Sequence, residues 1–155
     1  MQHSGLFNLQ TPRDLLAKAE RDFKRLQENP ANTDAAFDFF VTVRHLPDWL
    51  YPSPGGKQQC KALFENHVEL RIARQIADGA KHFNVTQPQH TQVVGTSALL
   101  SVPQSGERPQ PGPAKVKELI VELDTRDPDT AKLGTKMDVM QLAERILGVA
   151  RKIVS

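Results

Sequence analysis

The chain has 155 residues, of which 39% are apolar and 25% are charged. That length fits one domain, and those fractions exclude a disordered chain and a fibrous repeat. Twenty basic side chains against eighteen acidic ones leave a formal charge of +2, too small for a broad nucleic-acid footprint, and no run of five like charges occurs.

The first helix is predicted over roughly 12–28. Thr11 can cap it, Pro12 suits its first position and Asp14 has the spacing of a capping-box acid, while Leu15, Ala19, Phe23 and Leu26 recur at helical spacing. Asn29-Pro30 ends it, because a residue before proline is pushed out of the helical region. A second helix is expected from Thr33 to about Leu46. Ala36, Phe37, Phe39, Phe40 and Val43 cover its apolar face, and Asp34, Asp38, Thr42 and His45 fall in an opposing arc of about 80°. Pro47 should end or kink it, before Asp48-Trp49-Leu50-Tyr51 packs and the breakers 52–56 follow.

A third helix is expected from Gln58 to Asp78, or into Lys81. Val68, Ile72, Ile76 and Ala80 share one face and His67, Arg71, Arg74, Asp78 and His82 another, although Glu65 and Glu69 then point toward the apolar side. Residues 91–102 are rich in Val, Thr and Leu and 117–124 alternate, which predicts two paired strands. The eleven residues 103–113 between them hold four prolines and two glycines, so they form a long loop or flap instead of a tight turn. Asp127-Pro128 opens a one-turn helix closed by Gly134. Asp138 with Gln141, and Met137 with Leu142, start a last helix striped by Leu142, Ile146, Val149 and Ile153.

Helices, then a hairpin, then a helix give an α+β class: a mainly helical antiparallel bundle with a small antiparallel β-hairpin and a C-terminal helix. One domain over 1–155 is expected, with a helical core 12–83, the hairpin 91–124 and the closing helices 127–154. The lone Cys60 excludes an internal disulfide, the N-terminus lacks a charged-then-apolar leader, and no window approaches eighteen apolar residues. A cytoplasmic protein without a membrane span is the expectation. No glycine-rich phosphate loop, GxSxG, HExxH or CxxC occurs, so neither cofactor nor metal is expected.

One polar constellation remains. If the second and third helices are antiparallel neighbours, Asp34 or Asp38 meets Arg71, Arg74 or His82, and His45 lies nearer His67. Such a stripe suits acid–base chemistry or phosphate binding, with Arg74, His82, Asp38 and Asp78 as catalytic candidates and His45, Trp49, Arg71 and Lys81 as binding candidates. The plain alternative is a solvated or structural face, since Arg74–Asp78 and Asp78–His82 are ordinary i,i+4 spacings. Trp49 reads equally as core, Lys81 as a cation at a helix C-terminus and Cys60 as a small buried hydrophobe.

The runs AFDFFVTVRHLPDWLYP (36–52) and LRIARQIADGAKHF (70–83) resemble a family of uncharacterised bacterial and phage-associated proteins. The resemblance rests on His45, Asp48 and Trp49, then on Arg74, Ile76, Ala77, Gly79, Lys81 and His82. Gln75 and Asp78 stand where that family carries an acid and an Asn. KELIVELD and GTKMDVMQLAERIL are similar too. A looser resemblance is to HEPN-type helical domains, many of them metal-independent RNases. Their motif is an Arg followed by four to six residues and a His, against seven between Arg74 and His82 here. The resulting expectation is a non-catalytic accessory protein, associated with phage or a mobile element, whose partner is a protein. The alternative is a metal-independent RNA-directed nuclease or toxin. RNA and a second copy of the chain are the other partners considered.

Overall fold

The computed structural model describes residues 5–81, 93–100, 106 and 116–155. They form α1 (Pro12–Glu28), α2 (Thr33–Leu50), α3 (Lys57–Asn66), α4 (Val68–Lys81), β1 (Val93–Leu100), β2 (Val116–Leu123), α5 (Pro128–Ala131), β3 (Lys136–Asp138) and α6 (Val139–Val154). The protein is mainly helical α+β. Its sheet is antiparallel with strand order β1-β2-β3.

Local chemistry sets the helix starts. At α1 the Thr11 hydroxyl accepts from the Asp14 N–H at 3.2 Å while the Asp14 carboxylate accepts from the Thr11 N–H at 2.8 Å, a complete capping box. At α5 the Asp127 carboxylate accepts from the N–H groups of Asp129 and Thr130, and Gly134 at φ +97° closes the turn as its lack of a Cβ allows. Asp138 accepts from the Gln141 N–H at 3.1 Å and starts α6. The breaker run also has a steric reason: a Cβ on Gly56 would run into the carbonyl group of Tyr51.

The core is built around α2. Its Phe39 and Val43 are fully buried against Leu26 of α1, Ile72 of α4 and Leu142 and Ile146 of α6, and the sheet adds Val121 and Leu123. A second cluster joins Leu15, Leu46, Ala150 and Val154, with Trp49 and Leu50 packed on it. Trp49 is thus half-buried packing at the end of the helical hairpin.

Three expectations change. The helix expected to stop or kink at Pro47 runs on to Leu50. Pro47 is buried, and its carbonyl accepts from the Tyr51 N–H at 3.0 Å. An interior proline costs about 3 kcal/mol, and burying Leu46, Trp49 and Leu50 in the second cluster offsets that. The single third helix is two, broken at His67, whose backbone is extended at φ −130°. The break turns the helical register, so Glu65 faces solvent instead of the apolar side. The two-stranded hairpin gains a third strand, because 136–138 pairs with 120–122 before α6 begins. His82 and the loop 103–113, apart from Gly106, lie outside the described residues.

Candidate functional site

Asp38 does not join the α4 arginines. Its carboxylate takes Arg25 of α1 at 2.8 Å, beside a network in which Lys18 reaches Asp22 at 2.6 Å and the Thr42 hydroxyl at 2.9 Å. The expected meeting of Asp38 with Arg71 or Arg74 is therefore corrected. The α1–α2 seam claims Asp38, because α1 packs alongside α2 and presents Arg25 to it. Thr42, expected on the polar arc with Asp38, is buried there, with its hydroxyl 2.9 Å from the Asp22 carboxylate.

The α4 arginines have separate tasks. Arg71 donates to the carbonyls of Phe64 at 2.9 Å and Glu65 at 2.8 Å, which closes the end of α3. It also pairs with Asp129 at 3.0 Å. Lys132 and Arg71 together hold the Asp129 carboxyl below its usual range. Arg74 lies over the Phe64 ring with its guanidinium carbon 4.4 Å from the centroid. Burial first, then the neighbouring charges of Arg44 and Arg71, lowers its pKa, and its Nε is buried without a hydrogen-bond partner.

Arg44 of α2 completes the group. It approaches the same ring at 5.6 Å, pairs with Asp48 at 2.9 Å and reaches Asp78 with Nε at 3.5 Å. Asp48 also accepts the Cys60 thiol at 3.4 Å, and burial followed by Asp48 pushes that thiol up to about 11. A thiol so held is a weak nucleophile at neutral pH. His45 lies exposed, 3.8 Å from Asp48. Arg74 and Asp78 of the expected catalytic set thus share one cluster, while Asp38 is elsewhere. Of the binding candidates, Arg71 adjoins the cluster, His45 touches its edge, Trp49 packs the second apolar cluster and Lys81 ends α4. Arg44 and Phe64 were missed; the i,i+4 spacing of Arg44 with Asp48 is the signal that could have found Arg44.

A second feature is a groove of about 690 Å³ between α2, α4, β1 and β2. Phe37, Phe40, Ile76, Val94, Ala98 and Ile120 contribute to its walls, and every described residue lining it is non-ionisable. Phe37 and Val94 at its mouth are 49% and 62% exposed. The size is that of a ligand or peptide cleft.

Gln75 fixes this groove's floor. Its buried amide donates to the Val93 carbonyl at 2.8 Å and accepts from the Val93 N–H at 2.8 Å, so the side chain completes the outer edge of β1 as a neighbouring strand would. A carboxylate there could accept but not donate, which gives a physical reason for Gln at this position.

Among the described residues no group of three His, Cys, Asp or Glu side chains is placed to hold a metal, and no helix is long and apolar enough to cross a membrane. No family model, curated protein or solved structure matches the chain.

Proposed function

We propose that the protein is a non-catalytic interaction or accessory protein that seats an apolar segment of a partner protein in the groove between α2, α4 and β1. The observation that carries this reading is the lining of the groove. It offers area for apolar burial and polar groups of Thr33, Thr96 and Ser97, with no described lining side chain able to move a proton. Ion pairs of Arg25 with Asp38, Arg44 with Asp78, Arg71 with Asp129 and Arg151 with Glu20 meanwhile tie helices to one another. On this reading the protein works in the cytoplasm, in a phage- or mobile-element-linked setting suggested by the resembling runs at 36–52 and 70–83; a single cysteine is compatible with a reducing compartment.

Phe37→Ser tests it. The side chain is half exposed, so the variant should keep its melting temperature within about 2 °C. In the native host it should lose the protein that co-purifies reproducibly with the wild type. Retention of that same protein by Phe37→Ser would overturn the reading.

A second reading starts from Arg74, whose buried Nε has no hydrogen-bond partner among the described residues: an RNA-directed enzyme in which Arg74 holds the scissile phosphate and His82 is the acid–base group. It requires RNA cleavage in EDTA that His82→Ala abolishes. The binding reading expects total RNA to survive incubation with high concentrations of pure protein.

A further inference from the structure

β1 stands at the end of the strand order, with β2 on one side of it only. The register fixes which of its backbone groups face the open side. The Leu123 N–H donates to the Thr135 carbonyl, and Val121 lies opposite Met137 of β3. Backbone direction alternates along a strand, so Leu119, Val121 and Leu123 turn their N–H and C=O groups away from β1. Their partners on β1 are Ala98, Thr96 and Val93. Residues opposite each other in an antiparallel pair both turn inward or both turn outward, so Val93, Thr96 and Ala98 direct their groups to the open edge. The bonds of the Gln75 amide to both groups of Val93 agree with this direction.

Thr96 and Ala98 have no counterpart to Gln75. Among the described residues nothing bonds to their outward N–H and C=O groups, and both residues are exposed. Protein edges are normally blunted by a lysine, a proline, a bulge or a covering element. The register shift at Val94 and the cover from Gln75 protect the Val93 end, whereas VVGTSALL carries neither a charge nor a proline. The same two residues belong to the groove. Opposite residues of a pair share a face, so Thr96 and Ala98 stand on the side of the sheet where Val121 and Leu119 are buried, and all four line the groove.

We infer that the partner segment seated in the groove is an extended strand, added to β1 through the backbone groups of Thr96 and Ala98. This inference rests on the groove reading and gives its occupant a conformation. A strand about 4.8 Å from β1 sets two of its side chains, at i and i+2, beside Thr96 and Ala98 on the groove face. Both are apolar, because the described lining is non-ionisable and includes Phe37 and Ile76. The recognised segment is therefore apolar-x-apolar, with the middle side chain on the opposite face. A helix bonds its backbone groups internally and leaves the edge unanswered. A second copy of β1, paired through the same four groups, sets Ala98 against Thr96, and two such small side chains do not fill a groove of about 690 Å³.

The test is selection of a random twelve-residue displayed peptide library on the pure protein, followed by affinities of the enriched peptides for wild type, Phe37→Ser and Ala98→Pro. The Ala98 N–H faces the open edge, so a proline there removes a donor from the partner without breaking a β1–β2 bond. The expected peptides carry the apolar-x-apolar pair. Ala98→Pro should weaken them about tenfold, N-methylation of the peptide backbone should do the same at alternate positions only, and Phe37→Ser should weaken the same set. In the wild type, where no variant has to fold, bound peptide should slow deuterium exchange at the Thr96 and Ala98 amides about tenfold or more. Peptides that depend on Phe37 but tolerate Ala98→Pro and every N-methylation, and leave those amides exchanging freely, overturn the strand inference and leave the groove reading standing. Peptides that need the Ala98 amide but ignore both Phe37→Ser and alanine at their own apolar positions overturn the groove reading, and with it the apolar-x-apolar segment. Enrichment of nothing above background overturns both. A wild-type dimer in sedimentation that Ala98→Pro dissociates gives the edge to a second copy and overturns the inference.

Discussion

Gln75 shows how one amide can fix the contact between a helix and a sheet edge. Its donor and acceptor both meet the Val93 backbone, in a buried setting. Gln75→Glu keeps the shape but sets a carboxylate oxygen against the Val93 carbonyl, so a loss of about 1–3 kcal/mol is expected at neutral pH. Protonation restores a donor, so thermal melts should show the deficit shrinking as the pH falls toward 4. Cys60 also loses stability as the pH rises, in a more alkaline window. Its folded pKa is raised to about 11 from an ordinary value near 9, so the unfolded chain releases this proton first. The associated stability is complete below about pH 9 and is lost between about 9 and 11. Comparing wild type with Cys60→Ala across that window should show the wild type falling more steeply. Asp38 illustrates a weak charge: both partners of its pair with Arg25 are 40% or more exposed, so Asp38→Ala should cost less than about 1 kcal/mol in chemical denaturation.

At the scale of the elements, the ends of α1 and α6 were legible because their signals are local. Thr11, Asp14 and Asp138 bond to backbone within three residues, so the sequence window that shows the pattern also contains the physics. Thr11→Ala should remove the α1 box for about 1 kcal/mol, a fall of about 2–4 °C in melting temperature. The break at His67 was signalled only by Glu65 and Glu69 falling on the wrong face. What stabilises it is Arg71, which reaches back to the carbonyls of Phe64 and Glu65 from the next helix. Pro47 misled for a related reason. Propensity sees the missing donor, but not the cluster of Leu15, Ala150 and Val154 supplied from distant parts of the chain. The three residues of β3 are too few for a period to show, and pairing with β2 alone defines them.

At the scale of the whole molecule, the candidate site was half legible. Arg74, Asp78 and Arg71 were singled out from one helix face, and that face does carry the cluster. Which acids they meet depends on how α1, α2, α3 and α5 pack around α4, and periodicity within one helix carries no record of its neighbours. The groove is a property of assembly in the same sense, since residues of α2, α4, β1, β2 and α6 line it. Packing around α2 holds that assembly together. Phe39→Ala, which empties the place of a fully buried ring in the main core, should cost about 3–5 kcal/mol in denaturant titration.

The bond pair between Gln75 and Val93 also makes a built-in reporter. The Val93 amide hydrogen is shielded by a side chain from α4 and not by a strand. Its exchange with deuterium therefore times the separation of helix from sheet, while the amide of Leu123, held by the Thr135 carbonyl at 2.8 Å, times the opening of the sheet itself. A ligand that wedges the groove apart would speed the first clock and leave the second alone; one that staples α4 to β1 would slow the first.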